Sequence, residues 1–319
     1  MHCFVSAAQA RLARIAKSDD RADAIGEMLY TLSATGSRDD NLLKEASELS
    51  ANPSVKPVKQ MDLLYALDIY ASATGDAADQ TYLAALQRFA AMEQQLKGGA
   101  LVELYVNACS IIGWDDPFRE RWLGFAQSVC TPSKLRAAKA EGAATQALIL
   151  AMMPVAMTLN ERRDGFAQSA GIALSWLRDA EKAAAKSRNG AEKDFVASIG
   201  VMMHTMNSLC LDAFDEPDAA DDGVNGALKL LRRIERRTGI SGRSASLRRQ
   251  VVDSMRNIGR ETEAKNMLRQ MLVRVEADAN GSRIAFPEQV AILLQAARLE
   301  HDEQLDREQA CNPKGASEV

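Results

Sequence analysis

Apolar and polar residues follow a helical period along the first 130 residues, and the same pattern recurs at longer intervals. Three similar stretches, each apolar before a glycine, are centred on Gly36, Gly75 and Gly113. These glycines are 39 and 38 residues apart. A period of this length, with a glycine between two amphipathic helices, is typical of stacked helix pairs. We therefore predict an all-α fold, arranged as an α-α superhelix (a helical-repeat solenoid).

The first helix of each copy carries an apolar stripe. Positions eleven, eight and four residues before the glycine are apolar, and spacings of three and four place them on one helix face. The glycine suits the left-handed conformation that ends a helix. The stripe residues are Ile25, Met28 and Leu32 in the first copy, Leu64, Leu67 and Ala71 in the second, and Val102, Tyr105 and Cys109 in the third.

Polar residues mark where these helices begin. Asp39 or Asp40 is placed to cap the second helix of the first copy, over residues 41–49. Asp116 followed by Pro117 predicts a helix start in the third copy. Ala143 to Leu159 is the most apolar segment, but Pro154 and polar residues interrupt it, so we expect no membrane-spanning helix.

The remaining pattern divides the chain into five segments. Residues 1–17 are a possible transit peptide or the first helix, and residues 18–211 form the helical-repeat region. Residues 212–222 are rich in aspartate and predict a flexible acidic loop. Residues 223–300 contain Gly259 followed by the stripe Leu268 and Met271, and this copy resembles a tetratricopeptide repeat, with a capping helix after it. Residues 301–319 are a polar tail that we expect to be disordered.

Composition and charge limit the classes of function. Apolar residues make up 47% and charged residues 26%, as in ordinary folded proteins, and the net charge is −4. A net negative chain has no general affinity for polyanions, so we expect no DNA partner, and an RNA role must rest on a local patch. The five cysteines are scattered without metal-ligand spacing, which predicts free thiols and no metal site.

The N-terminal segment has an unusual composition. The first eighteen residues contain no acid but include Arg11, Arg14 and Lys17. An acid-poor, arginine-containing, alanine-rich start is typical of an organellar transit peptide. The alternative is a first helix of the fold, with Leu12 and Ile15 facing inward. We accordingly predict an organellar protein, with a cytoplasmic location as the alternative.

The sequence offers no catalytic constellation that we consider convincing. Of the three histidines, His204 lies among methionines and has no second ligand three or four residues away, which favours a packing position at a helix edge. The segment from Gly239 to Ser244 lacks the G-K-[ST] ending and the preceding strand of a phosphate-binding loop. We predict that the chain is not an enzyme and that it uses no cofactor.

The strongest local feature is a basic segment near the C-terminal end. Residues 229–274 contain thirteen basic and four acidic residues, a local net charge of +9, and eleven of the thirteen are arginine. Planar guanidiniums suit phosphate oxygens and carboxylates alike, so RNA and an acidic protein partner are equally indicated. A third possibility is that the arginines neutralise the acidic loop. The residues predicted to bind are Arg232, Arg233, Arg236, Arg237, Arg243, Arg248 and Arg249.

The three opening copies resemble a known repeat family, and the second and third carry the clearest matches. The leucine pair, small residue, glycine, aspartate and second amphipathic helix match the heptatricopeptide and octotricopeptide repeats over about the first 130 residues. The matching positions are Leu63, Leu64, Tyr65, Ala66, Leu67, Ala71, Gly75, Asp79, Tyr82, Leu83 and Leu86, then Leu101, Val102, Leu104, Ala108, Gly113, Asp115, Asp116, Pro117, Phe118, Leu123 and Ala126.

The resemblance implies a function as well as a fold. Members of this family are organellar factors in RNA processing, editing, stability or translation. The chain lacks the small C-terminal nuclease-like domain that often ends them, which implies a non-catalytic subunit of a mitochondrial RNA-processing or RNA-editing complex. Such a subunit binds RNA, partner protein subunits or both through its repeat surface. The alternative is a protein-only, tetratricopeptide-like scaffold that docks acidic partners.

Overall fold

The computed structural model describes residues 2–74, 79–98, 101–102, 104–105, 117–129, 190–213, 215–278 and 280–311, with single positions between 175 and 186. Every regular element in these ranges is an α-helix, and none of the described residues lies in a strand. The predicted all-α class is therefore confirmed. The superhelical arrangement of the helices remains a prediction.

Eleven helices have their bounds within the described ranges. In chain order they are α1 (His2–Leu12), α2 (Ser18–Ala34), α3 (Asp40–Ala51), α4 (Pro57–Thr74), α5 (Asp79–Gln95), α6 (Pro117–Val129), α7 (Gly190–Ala213), α8 (Pro217–Thr238), α9 (Gly242–Asn257), α10 (Glu261–Ala277) and α11 (Phe286–Cys311). No helix of the described chain is both long enough and apolar enough to cross a lipid bilayer.

The chain forms two compact units. The first combines Met1–Gln94 with Leu272–Val319, and the second is Gln95–Met271. The first unit is discontinuous in sequence because α11 packs against both α1 and α2. This division differs from the predicted segments, which followed local composition. The two segments of the first unit are joined by hydrogen bonds between residues more than 250 positions apart. Such contacts leave no local pattern in the sequence, so the sequence did not predict this unit.

Three helices of the first unit pack against one another. Helix α2 packs against α3 and α4, and α3 also packs against α4. The described positions of the predicted stripe are buried or half-buried, and those of the third copy belong to the second unit. Ile25, Met28, Leu32, Leu64, Val102 and Tyr105 are buried, Leu67 and Ala71 are half-buried, and Cys109 lies outside the described residues.

The turn between α2 and α3 has the predicted chemistry. Gly36 adopts a left-handed φ of 61°, and the Asp39 side chain caps α3 by accepting from the Leu42 backbone N–H at 3.0 Å. The buried hydroxyl of Tyr70, on α4, accepts from the Asp39 backbone N–H at 2.9 Å and donates to the Ser37 carbonyl at 3.2 Å. Helix α4 therefore holds the turn between α2 and α3 in place through the Tyr70 hydroxyl. Gly75 and Gly113 lie outside the described residues.

Helix α1 is an integral part of the first unit. Ala8, Leu12 and Ile15 are buried, in agreement with the first-helix alternative for residues 1–17. Arg11 Nε donates to Gln289 Oε1 of α11 at 2.7 Å, and the Arg14 guanidinium lies 4.3 Å from the centre of the Phe286 ring. The N-terminal helix thus covers the first turns of α11.

The prediction of an acidic loop over residues 212–222 is wrong for most of that stretch. Helix α7 continues to Ala213, and α8 already begins at Pro217. Proline at the first helical position costs no hydrogen bond, and acidic residues in a first turn interact favourably with the helix dipole. The Ser208 hydroxyl also donates to the Ala220 carbonyl at 2.7 Å and ties α7 to α8. The acidic residues therefore mainly begin a helix.

The prediction of a disordered tail from residue 301 is also wrong for its first part. Helix α11 extends to Cys311, so that residues 301–311 are helical. The stretch is rich in Glu, Gln, Leu, Arg and Ala, which are strong helix formers even when they are polar. Polarity alone was therefore a poor sign of disorder here. Residues 312–319 lie outside the described residues.

Candidate functional site

The arginine-rich segment of the second unit begins on the C-terminal half of α8. One face of this helix is apolar and buried, through Val224, Ala227, Leu231 and Ile234. This spacing of three and four residues turns the intervening positions towards solvent. The helix ends at Gly239, where φ is 68°, and basic residues in the last turn suit the negative end of the helix dipole. Those solvent-facing positions carry arginines.

Four of the seven predicted site residues lie together on this surface. They occupy two successive turns and all are exposed. We call this surface the α8 arginine face, and it comprises Arg232, Arg233, Arg236 and Arg237.

Two of the four arginines are held by acidic residues of the second unit. Arg237 Nε donates to Asp194 Oδ1 at 2.8 Å, and a second nitrogen of the same guanidinium contacts the same oxygen. Arg233 Nη1 lies 3.6 Å from Glu181 Oε1. Both arginines stay partly accessible, with 36% and 49% of the side chain exposed. Partly exposed ion pairs of this kind contribute little to stability.

The other two arginines are directed to solvent. No hydrogen bond or ion pair joins Arg232 or Arg236 to another described residue. The Arg232 charge is nevertheless close enough to Glu263 to contribute to the lowering of that carboxyl's pKa, mainly caused by hydrogen bonding to Arg260. Arg232 and Arg236 are one turn apart and share a side of α8. They are the two arginines of the face without a hydrogen bond or ion pair to a described residue.

The three remaining predicted site residues are on α9, and they are not part of this face as a group. Arg248 is buried, with 7% of its surface exposed. The adjacent Arg249 is half-buried and makes interactions of its own within the protein. Arg243 lies in the first turn of α9, and its side chain is outside the described residues. The charge count over residues 229–274 did not distinguish these arginines from the exposed arginines of α8.

Arg248 has a structural role that the sequence-based prediction missed. Its Nε and Nη2 donate to the two oxygens of Glu235 at 2.8 and 3.2 Å. Its Nη1 donates to the Met267 carbonyl at 3.2 Å and to Gln270 Oε1 at 2.9 Å. A buried guanidinium needs such complete pairing, since an unpaired buried charge is costly. Arg248 therefore links α8, α9 and α10 and is removed from the candidate site.

Part of the acidic stretch is neutralised by an arginine, as the third sequence-based possibility predicted. Arg260 Nη1 donates to Asp221 Oδ1 at 3.0 Å and to Asn225 Oδ1 at 2.9 Å. Its other nitrogens bind Glu263 at 2.9 and 2.6 Å. The Arg260 pKa is raised, mainly by the hydrogen bond to Glu263. Basic residues of the segment thus serve two different purposes, internal pairing and surface charge.

Beside the α8 arginine face lies a cavity of about 390 Å³ within the second unit. Its lining combines apolar and charged side chains from α7, α8 and the stretch before α7. The sequence-based prediction missed it, because residues from three segments form it and no spacing links them. The lining residues are Leu177, Arg178, Glu181, His204, Gly226, Lys229, Leu230 and Arg233.

The imidazole of His204 is fitted against the backbone of α8. A Cβ placed at Gly226 would lie 2.6 Å from Cε1 and 2.7 Å from Nδ1 of the ring, so only glycine leaves room for this position. Burial lowers the His204 pKa, while the nearby Glu181 charge partly opposes this. His204 is thus half-buried at a helix edge, as predicted, but it also faces a charged cavity.

Metal binding is a poor fit to this arrangement. Among the described residues, no three His, Cys, Asp or Glu side chains are grouped so as to hold a metal ion. The cavity offers one carboxylate and one imidazole, surrounded by cationic side chains that repel a metal ion.

Comparisons with protein-family models, curated proteins and solved structures found no match to this chain. The tricopeptide-repeat resemblance therefore remains a prediction from the residues. The features of the described residues that indicate a function are the α8 arginine face and the cavity beside it.

Proposed function

We propose that the chain is a non-catalytic subunit of a mitochondrial RNA-processing or RNA-editing complex, and that its α8 arginine face binds RNA. The observation that carries the proposal is the cluster of four exposed arginines on two turns of one helix. The net charge of the chain is −4, so this positive surface is opposite in sign to the chain as a whole.

The chemistry of arginine supports a phosphate ligand. The guanidinium presents a planar fork of donors that matches two phosphate oxygens, and it also stacks on unpaired bases. Arg232 and Arg236 are accessible on one side of α8, and Arg233 and Arg237 are one turn apart on the neighbouring side. A single strand that follows the helix axis thereby meets successive cations. Helical-repeat surfaces bind nucleic acid or protein in this way.

Titration with a fluorescent single-stranded RNA at several salt concentrations tests the proposal. Replacing Arg232, Arg233, Arg236 and Arg237 with alanine should weaken binding at least tenfold, since each arginine that pairs with a phosphate contributes electrostatically. The slope of log affinity against log salt should also become shallower, by about 0.7 for each phosphate that the variant no longer neutralises.

A matched control removes the same number of charges elsewhere. Alanine at the exposed Lys17, Lys44, Lys56 and Lys97 leaves the α8 arginine face unchanged and should preserve binding. Equal weakening in both variants would indicate only a general charge effect. Absence of salt-sensitive binding in the unaltered protein would refute the RNA part of the proposal.

The second candidate is a protein-only scaffold whose arginine face docks an acidic partner. It is favoured by the pairs that Arg233 and Arg237 already form with Glu181 and Asp194, because the face visibly accepts carboxylates. Purification of the tagged protein from its native cells, with and without RNase, separates the candidates. A set of partners that survives RNase and is absent from the four-alanine variant would favour the scaffold.

The mitochondrial location rests on the acid-free, basic N-terminal segment. Imaging of a C-terminally tagged protein tests it, and N-terminal sequencing shows whether the segment is retained. Because α1 packs against α11, we expect the mature protein to keep residues 2–16.

A further inference from the structure

The cavity beside the α8 arginine face has features that RNA-backbone binding does not require. It is a half-open concavity lined by residues of α7 and α8 and by Leu177, Arg178 and Glu181, whereas the arginine face is an open surface. Its volume of about 390 Å³ lies within the range of small-ligand cavities, about 300 to 1,000 Å³. The apolar side chains of Leu177 and Leu230 line it together with the imidazole of His204. It therefore suits a compact group that enters from solvent.

The charges around the cavity favour an anion. Arg178, Lys229 and Arg233 contribute three cationic side chains, against the single carboxylate of Glu181. That carboxylate is itself 3.6 Å from Arg233, and its Oε1 atom is buried without a hydrogen bond to any described residue. With a neutral His204 the lining carries a net charge of +2. Positive charges therefore outnumber negative ones in the lining, and Arg178 also makes a further interaction within the protein.

We infer that this cavity binds the terminal phosphate of a phosphomonoester, with Lys229, Arg178 and Arg233 as its cationic ligands and His204 as a hydrogen-bonding partner. A phosphomonoester carries a charge of about −1.5 to −2 near neutral pH and offers three acceptor oxygens. Three cations match that charge better than they match the single charge of an internal phosphodiester. The remaining apolar lining is available to the group that the phosphate is attached to.

Two sources can supply this chemistry. One is a free nucleoside monophosphate, and the other is the 5′-phosphate end of an RNA strand. The second source rests on the proposed function, because it requires an RNA bound at the adjoining α8 arginine face. The first source is independent of it.

The primary measurement follows the Cε1–H resonance of His204 in the full-length protein. The chain has only three histidines, so His204→Gln assigns the signal. We expect inorganic phosphate and adenosine monophosphate to shift this resonance with a saturable dose dependence, and the resonances of His2 and His301 to stay in place. Lys229→Ala should weaken binding about tenfold, the loss expected for one charge-assisted hydrogen bond.

Two further variants separate the cavity from the arginine face. Gly226→Ala forces the His204 ring to move and should weaken phosphate binding. Arg236→Ala alters the α8 arginine face but not the cavity lining, so phosphate binding should stay unchanged. Lys229 is exposed, so its substitution keeps the proposal testable if Gly226→Ala does not fold.

A comparison of 5′-phosphorylated and 5′-hydroxyl RNA of one sequence distinguishes the sources. A preference of about tenfold for the phosphorylated RNA, abolished in Lys229→Ala and kept in Arg236→Ala, supports the RNA end. Phosphate and nucleotide binding without any RNA binding supports the free nucleotide and refutes only the proposed function. RNA binding without a 5′ preference, together with an unshifted His204 resonance, overturns the cavity proposal and leaves the proposed function standing. A His204 shift that is equal in Lys229→Ala also overturns it.

Discussion

Two ionisable groups, one in each unit, have opposite surroundings. In the second unit, Arg248 donates hydrogen bonds from all three guanidinium nitrogens, to Glu235 and to groups on α10. In the first unit, Asp62 lies half-buried on α4, and its Oδ1 atom is buried without a hydrogen bond to any described residue. One charge is fully paired, and the other is not.

The difference appears in the protonation of the unpaired group. Burial raises the pKa of Asp62 to about 7; the Lys59 charge opposes this shift and the Asp23 charge adds to it. Lys59 is already engaged with Asp23 at 2.8 Å, so it does not supply Asp62 with a partner of its own. A complete set of partners keeps a buried charge in place, whereas an incomplete set favours the neutral form.

Removal of the paired charge should have the largest effect. Arg248→Met leaves the Glu235 carboxylate, only 14% exposed, without its cation and frees the acceptors on α10. We expect a loss of about 3 kcal/mol in the free energy of unfolding, measured by urea denaturation, because breaking a buried ion pair uncovers the desolvation cost of the remaining ion.

A double variant tests the reason for that loss. Glu235→Leu combined with Arg248→Met removes both charges, and it should recover most of the stability. If the double variant were as unstable as the single one, poorer packing rather than an uncompensated charge would be the cause. Exposed Arg236→Met on α8 serves as the matched control and should change the stability by less than about 0.5 kcal/mol.

The position of Arg248 could have been recognised from helical spacing. Ala245, Val251, Val252 and Met255 are three, four or seven residues away from it, and all are buried. An arginine on the apolar stripe of a helix either reaches the surface or finds partners inside. Counting charges over residues 229–274 concealed this, because it gave Arg248 the same weight as the exposed arginines of α8.

A smaller effect is expected for a neutral group that is fully paired. Tyr70→Phe removes the hydroxyl that joins α4 to the turn between α2 and α3, at both Asp39 and Ser37. Since the Tyr70 side chain is completely buried, water cannot take the place of the deleted hydroxyl. We expect a loss of about 1 to 2 kcal/mol by urea denaturation.

The half-buried Tyr65, on the same helix, provides the comparison for Tyr70. Tyr65→Phe should cost less, and a loss equal to that of Tyr70→Phe would show that the turn does not depend on the Tyr70 hydroxyl. Hydrogen exchange of the Asp39 and Leu42 amides gives a second readout, and it should quicken only in Tyr70→Phe.

Local features of the fold were predictable, whereas long-range ones were not. The left-handed glycine at Gly36, the Asp39 cap and the helix start at Pro117 follow from the conformational preferences of single residues. The packing of α1 on α11 and the cavity around His204 depend on residues from distant segments. No period or cap encodes those interactions, so the sequence indicated neither the discontinuous first unit nor the cavity.

Removal of the unpaired charge should have an effect of the opposite sign on the stability. Asp62→Asn removes a charge that burial disfavours, and it should stabilise the protein at pH 8. Asp62 has a pKa of about 7 when folded and an ordinary pKa near 3.8 when unfolded. Between these values the folded state holds a proton that the unfolded state has released, so its stability falls as the pH rises. The gain from Asp62→Asn should therefore disappear below about pH 4 and reach its full size above pH 7.

Urea denaturation across this pH range measures the gain in stability, with the exposed Glu48→Gln as a control that should show no such trend. A gain that is independent of pH, or a loss at pH 8, would mean that Asp62 is charged and paired in the folded protein, as Arg248 is.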